Sequence, residues 1–183
     1  MLSYPKEWEK RVKLKNGLEV FLRPELSEDT DLLWEMFSTL SKSSLDNLIP
    51  PFTRERIESW TREIDYSKNL PILALIREGE RERIIGSATL SFHTQEIYLH
   101  KGDVGIAVHD DYQNLGLGTA MVKHLLEIAK AKPLKKVSLR VKADNNRAIH
   151  VYERCGFKIE AKLEKERFQE GQFKDKYLMA IFL

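Results

Sequence analysis

The alternation of apolar and polar positions divides the chain into a mixed set of elements. In "GLEVFLRP" (17–24), Leu18, Val20 and Leu22 alternate with Glu19, Phe21 and Arg23, the period of two that predicts a strand ended by Pro24. The next stretch, "SEDTDLLWEMFSTL", places Leu32, Leu33, Met36, Phe37 and Leu40 on one helical face, with Ser27 as its expected N-cap. After "IPPF", Thr53 is the expected cap of a second helix whose Ile57, Trp60 and Ile64 form a buried stripe. Three strands then follow at 70–76, 83–92 and 103–109, the first two joined by a polar "GERER" turn.

The second half alternates. "LGTAMVKHLLEIAKA" carries Leu117, Met121, Leu125 and Ile128 at helical spacing and closes at Pro133. "KVSLRV" (136–141) reads as a strand. "NNRAIHVYERC" reads as a helix with Ala148, Val151, Tyr152 and Cys155 inward and Gly156 as its left-handed C-terminal cap. "FKIEAKLE" and "DKYLMAIFL" close the chain as two strands. The order β-αα-βββ-α-β-α-ββ predicts a mixed α/β domain spanning 1–183, with residues 1–16 a solvated, partly mobile N-terminal extension.

Composition narrows the function classes. Of 183 residues, 42% are hydrophobic and 32% charged, and the net charge of +2 is too mild to argue for a nucleic-acid partner. The single cysteine, Cys155, excludes an intrachain disulfide, and no CxxC-type zinc pattern occurs, so no metal is expected. No stretch of ~18 apolar residues and no signal-peptide core is present, so a cytoplasmic protein without a membrane partner is expected.

The chemistry concentrates in "YQNLGLGTAMV" (112–122), where two glycines stand between a strand and a helix. Free N–H groups at such a corner suit an anion, and glycine lets backbone approach it closely. A P-loop would need GxxxxGK[ST], which is absent, and a dinucleotide fingerprint would need a small residue where Met121 stands. What remains is Q-x-x-G-x-G, Gln113 to Gly118, either a phosphate loop or simply a tight turn.

A second motif follows the next strand: "NNRAIHVYERCGF" (145–157), with the spacing N-x-x-A-x-x-x-Y-x-x-x-G-F. Together with "GIAVHDDYQNLGLGTAMV", it resembles the GCN5-related N-acetyltransferase (GNAT) family of acyl-CoA-dependent acyltransferases. The resemblance implies a mixed, partly antiparallel sheet with helices on both faces, splayed between its fourth and fifth predicted strands. It implies acetyl-CoA as co-substrate, with the pyrophosphate on the amides of Asn114, Leu115, Gly116, Leu117, Gly118 and Thr119. Gln113 is expected to add a side-chain donor. Ile106, Ala107 and Val108 would line the pantetheine arm, with an oxyanion donor near Val108, and Asn145 would contact the arm.

Tyr152 aligns with the family's general acid. A phenol of pKa ~10 can protonate a departing thiolate whose pKa lies near ~8.5. Arg140 stands where some protein N-terminal acetylators carry a base glutamate. The candidate bases are instead Glu96 and His100, with His93 and Asp103 in the same segment. The tail resembles family members that act on free amino acids or related amines, with Ala161 in place of their glycine. The expected activity is acetyl transfer to a primary amine of a small molecule by direct attack in a ternary complex. Its alternatives are a protein N-terminal or lysine acetyltransferase, a non-catalytic acyl-CoA sensor, or a nucleotide-binding protein of another class. Homodimers are frequent in the family, so the resemblance also implies a homodimer.

Overall fold

The computed structural model describes residues 4–183. Its elements run β1 (Lys10–Lys13), β2 (Glu19–Pro24), α1 (Thr30–Ser38), α2 (Lys42–Leu45), α3 (Arg54–Arg62), β3 (Asn69–Glu78), β4 (Arg81–Phe92) and β5 (Lys101–Val108). They continue α4 (Leu117–Lys130), β6 (Lys136–Lys142), α5 (Asn146–Arg154), β7 (Lys158–Gln169) and β8 (Gln172–Phe182). The strands form one sheet in the order β1-β2-β3-β4-β5-β6-β8-β7.

Every pairing is antiparallel except β5 with β6. That parallel pairing covers only Lys101, Asp103 and the residue between them against Lys136 to Ser138, after which the two strands part. The expected splay between the strands at 103–109 and 136–141 is therefore present. It leaves the C-terminal half of β5 without a neighbour on one side.

Both faces of the sheet are covered, which is why β3 reads as the nearly continuous apolar run "LPILALI" rather than a clean alternation. Leu70, Ile72 and Ala74 pack with Leu117, Met121 and Leu125 of α4 and with Tyr152 of α5. Leu73 and Leu75 point the other way, joining Leu33, Met36 and Phe37 of α1 and Ile57 of α3. No helix among the described residues is long and apolar enough to cross a membrane.

Three local expectations are corrected. Residues 10–13, taken as part of a mobile extension, form edge strand β1, and Trp8 before them is buried under the Lys132 ammonium; residues 1–3 lie outside the described residues. The cap of α1 is not Ser27, which sits in a 3-10 turn (Ser27–Asp29). Asp29 organises that entry instead, its Oδ2 accepting the Leu26 N–H at 2.7 Å. Finally, β7 and β8 run further than the apolar pattern suggested, meeting at a two-residue turn in which Glu170 and Gly171 both have positive φ (52° and 75°). Such a left-handed pair matches the twist of a hairpin.

The tip of that hairpin folds back over α2. Gln169 Nε2 donates to Asp46 Oδ1 at 2.7 Å, Arg167 donates to the Leu48 carbonyl at 2.9 Å, and Lys42 pairs with Glu170. Thr53 caps α3 as expected, Asn145 caps α5, and Gly156 ends α5 at φ 96°.

Candidate functional site

The parted edges of β5 and β6 open into a cleft of about 1250 Å³, which continues across the sheet under α1–α3. At its β5 wall the backbone is free by simple alternation. The His109 N–H donates to the Ile85 carbonyl at 3.0 Å, so that residue faces β4. Neighbours along a strand face opposite sides, so the backbone groups of Val108 and Ile106 point into the gap beyond the last residues paired with β6. The Gln113 amide reaches the Val108 carbonyl at 3.0 Å from that open side. Ile106, Ala107 and Val108 all line the cleft.

The glycine corner stands directly above. Asn114 has φ 63° and Gly116 has φ 92°, so the chain turns through two left-handed residues before α4 starts at Leu117. The first helical hydrogen bond is from the Ala120 N–H to the Gly116 carbonyl at 3.0 Å. The amides of Leu117, Gly118 and Thr119 therefore have no acceptor within the helix and carry its positive end.

Leu117 is buried in the core, Leu115 packs against it, and neither side chain lines the cleft, unlike Asn114, Gly116, Gly118 and Thr119. A Cβ at Gly118 would lie 3.8 Å from Val151 and 3.9 Å from Ile106, ordinary contact. The protein itself does not demand glycine there, and the space is left for something else.

Gln113 does not meet its expected role. Its Nε2 donates to Val108 O and to Ser44 Oγ (3.1 Å), while its Oε1 accepts from Arg147. Its amide is thus committed to fastening the loop to β5 and α2, and what it presents to the cleft is the Arg147 guanidinium. Asp110 strengthens the same joint by accepting from Ser41 and Ser44, which hold its carboxyl below the usual range although partial burial opposes this. Lys15, expected to be solvated, lines the cleft beside Gly116, and its backbone N–H donates to the Leu115 carbonyl at 3.1 Å.

On the α5 side, Asn145 uses its Oδ1 to accept the Ala148 N–H at 3.2 Å, which leaves its NH₂ group as a donor. Tyr152 lines the cleft, is 6% exposed, and packs edge-on against Phe157 with ring centroids 6.0 Å apart. Burial pushes its phenol up to about 12, with a smaller contribution from Cys155. Burial also raises the Cys155 thiol, which keeps it neutral and unreactive in its packed position.

Glu96 and His100 are corrected. Both are exposed, Glu96 in a 3-10 turn (Glu96–Tyr98) and His100 just before β5, and neither lines the cleft. Of their segment, only Asp103 lines it, bonded to His93 at 2.8 Å. The carboxylate that sequence reading missed is Glu25, buried in the cleft wall beyond β2. No periodicity marks it, because its burial comes from β3 and the α3–β3 connection, which fold over it from elsewhere in the chain.

Gly105 opens onto the same cleft, and a Cβ there would meet nothing within 4 Å. Gly105→Val is therefore expected to keep or raise the melting temperature, since β-branched residues suit strands. By filling the cleft it should weaken ligand binding there by about tenfold or more. Melts with and without ligand on the same preparation check both parts.

The acetyltransferase (GNAT) family model matches residues 31–157. The L-amino acid N-acetyltransferase AaaT of Escherichia coli (strain K12) is 30% identical over 98 residues, covering 53% of this chain and 60% of that protein. A spermidine N(1)-acetyltransferase of the same strain is 32% identical over 83 residues, 45% of each chain. The chain thus spans about half the length of the curated relatives it matches. The GNAT domain of S. lividans PAT superposes with a TM-score of 0.78 at 19% identity, covering 99% of this chain and 100% of that one.

Proposed function

The chain belongs to the GNAT acetyltransferase family, and from that membership we propose that it transfers the acetyl group of acetyl-CoA to a primary amine of a small molecule. The observation that carries this reading is the junction of three features at one place. An unpaired β5 edge, a helix N-terminus with three free amides and a buried phenol all border one cleft.

A pantetheine arm is a slim chain with two amide groups, and the edge at Ile106 and Val108 offers it backbone donors and acceptors. A diphosphate suits the amides of Leu117, Gly118 and Thr119, with Lys15 and Arg147 adding charge. Bound there, acetyl-CoA supplies an electrophilic thioester carbon and a thiolate leaving group. The Val108 N–H would donate to the oxygen that gains charge when a neutral amine attacks that carbon. As the C–N bond forms and the C–S bond breaks, the Tyr152 hydroxyl gives its proton to the sulfur. The proton lost by the amine restores the neutral phenol.

Melting the protein with saturating acetyl-CoA tests the donor site. A ligand at ~100 times its Kd stabilises by about 2.7 kcal/mol, and each kcal/mol moves Tm by roughly 2–4 °C in a domain of this size. A rise of several degrees with acetyl-CoA and none with NADH or ATP is the expected result. A rise with NADH or ATP alone overturns the reading. Thiol release on adding an amine then separates an enzyme from a sensor that binds acetyl-CoA without turning it over.

A further inference from the structure

Glu25 is 3% exposed, yet it lines the cleft, and its Oε1 is sealed from solvent without a hydrogen-bond partner. Leaving a buried polar group unpaired costs stability, so such a group calls for a reason. The groups around it are all engaged elsewhere. Arg23 and Asp29 hold each other through two bonds of 2.7 Å. The Tyr66 hydroxyl donates to Glu25's own carbonyl at 2.6 Å, and Tyr4, edge-on to Tyr66, donates to Glu9. Burial first, then the Asp29 charge, push the Glu25 carboxyl up to about 8 against the pull of Arg23. It therefore holds its proton at neutral pH and has nothing to give it to.

The sheet sets where this carboxyl stands relative to the splay. The Glu25 N–H donates to the Pro71 carbonyl at 3.0 Å, Pro71 pairs with Thr89, and Thr89 pairs with Gly105. All four residues line the cleft. Three strand spacings of ~4.8 Å put the Glu25 backbone about 14 Å from β5, with its side chain in the intervening wall.

Two further carboxylates, Glu63 and Asp65, border that end of the cleft, and Asp65 is held down at about 2 by Ser67 and Lys68. Arg56, the arginine of α3 that lines the cleft, is occupied by the Trp60 ring at 5.5 Å and the Pro51 carbonyl at 3.0 Å. Lys15 and Arg147 stand at the glycine corner instead.

We propose that Glu25 is the anchor for a second cationic group on the acceptor, so that the substrate is a short aliphatic compound carrying two amines. One amine reaches the parted edge of β5, and the other, as an ammonium, docks against Glu25. This rests on the acetyl-transfer reading of the cleft. Docking converts the neutral carboxyl to a carboxylate, so one proton leaves for solvent as the ammonium enters.

The experiment compares a diamine with the monoamine of the same carbon length, in the protein and in Glu25→Gln, by thiol release and by calorimetry in two buffers of different ionisation heat. Glutamine resembles the protonated carboxyl in shape, and an unchanged acetyl-CoA melting shift verifies the variant's fold. The expected result is a KM at least tenfold lower for the diamine than for the monoamine. Glu25→Gln should erase that difference by raising the diamine KM alone, at similar kcat. About one proton should be released per diamine bound at pH 7 by the protein and none by the variant.

Equal KM values for the two acceptors, or a variant that affects both alike, overturn the anchor, as does diamine binding without proton release. If the diamine binds with proton release but neither amine liberates thiol, the anchor stands and the acetyl-transfer reading falls.

Discussion

Tyr152→Phe is expected to lower kcat for thiol release by about 10²–10⁴-fold while leaving the acetyl-CoA melting shift in place. Positioned proton transfer contributes on that scale, and phenylalanine removes only the transferable proton. The ring remains, and so does its edge contact with Phe157, so the α5 stripe stays packed. With the phenol pushed up to about 12 by burial, it stays protonated from pH 6 to pH 10, so no alkaline loss of rate should come from this group in that window.

The stability sign agrees with this. Ionisation is harder in the folded protein than in the unfolded chain, so stability linked to Tyr152 is lost only as pH rises between ~10 and about 12. Tyr152→Phe should flatten that part of a stability–pH curve. Turnover within threefold of the parent would remove Tyr152 from the chemistry and leave it as core.

Asp29→Ala carries the largest expected stability cost, about 3–5 kcal/mol, because it strands a buried guanidinium. The Asp29 side chain is 3% exposed and that of Arg23 11%. At roughly 2–4 °C per kcal/mol the melting temperature should fall by about 6–20 °C. The neighbouring Glu25 gives this loss a pH dependence.

In the parent, burial and Asp29 keep Glu25 protonated to about 8, so stability falls as pH rises from ~4.5 toward that value. Removing Asp29 deletes a negative neighbour and leaves Arg23 pulling the Glu25 pKa down. Glu25 can then ionise and serve as the counter-ion, so the deficit should be smaller at pH 8 than at pH 6. Glu25→Gln removes this fallback, so measured against Glu25→Gln itself the cost of adding Asp29→Ala should not change between pH 6 and pH 8. Denaturant melts of the parent, the two single variants and the double variant at both pH values decide the matter.

The sequence was most informative where burial follows a local period. The stripes Leu117-Met121-Leu125-Ile128 and Leu33-Met36-Phe37 are spaced for a single covering surface, and the structure gives them one each. The N-cap at Asn145 and the left-handed Gly156 are likewise local chemistry.

β1 was missed because an edge strand has little to bury. "KRVK" alternates only between exposed and half-buried positions, and its lysines read as solvated although they also protect the open edge. The hairpin of β7 and β8 was underestimated for the same reason, its outer part being polar on both faces.

Site residues divide along the same line. The glycine corner and the Tyr152 helix are contiguous motifs, so the family resemblance could point to them without knowledge of the fold. Glu96 and His100 were chosen by chemical type, and proximity in sequence to β5 did not bring them to the cleft. Gln113 has the right chemistry and the right place, but two acceptors within the protein take its amide. Glu25 becomes special only once β3 and Tyr66 close over it.

The short β5–β6 pairing has a consequence for how the molecule avoids its own kind. An unpaired strand edge invites any passing chain to add itself, the usual route to aggregation. Here that edge is a blind alley: three residue pairs close its lower end, and α4 and α5 stand over its upper one. A peptide strand entering there would have to bring side chains on both faces past α4 and α5, whereas a slimmer chain would not. The same geometry that leaves backbone hungry for a partner thus screens partners by girth, and the protein can keep an open edge at its centre without sticking to its neighbours.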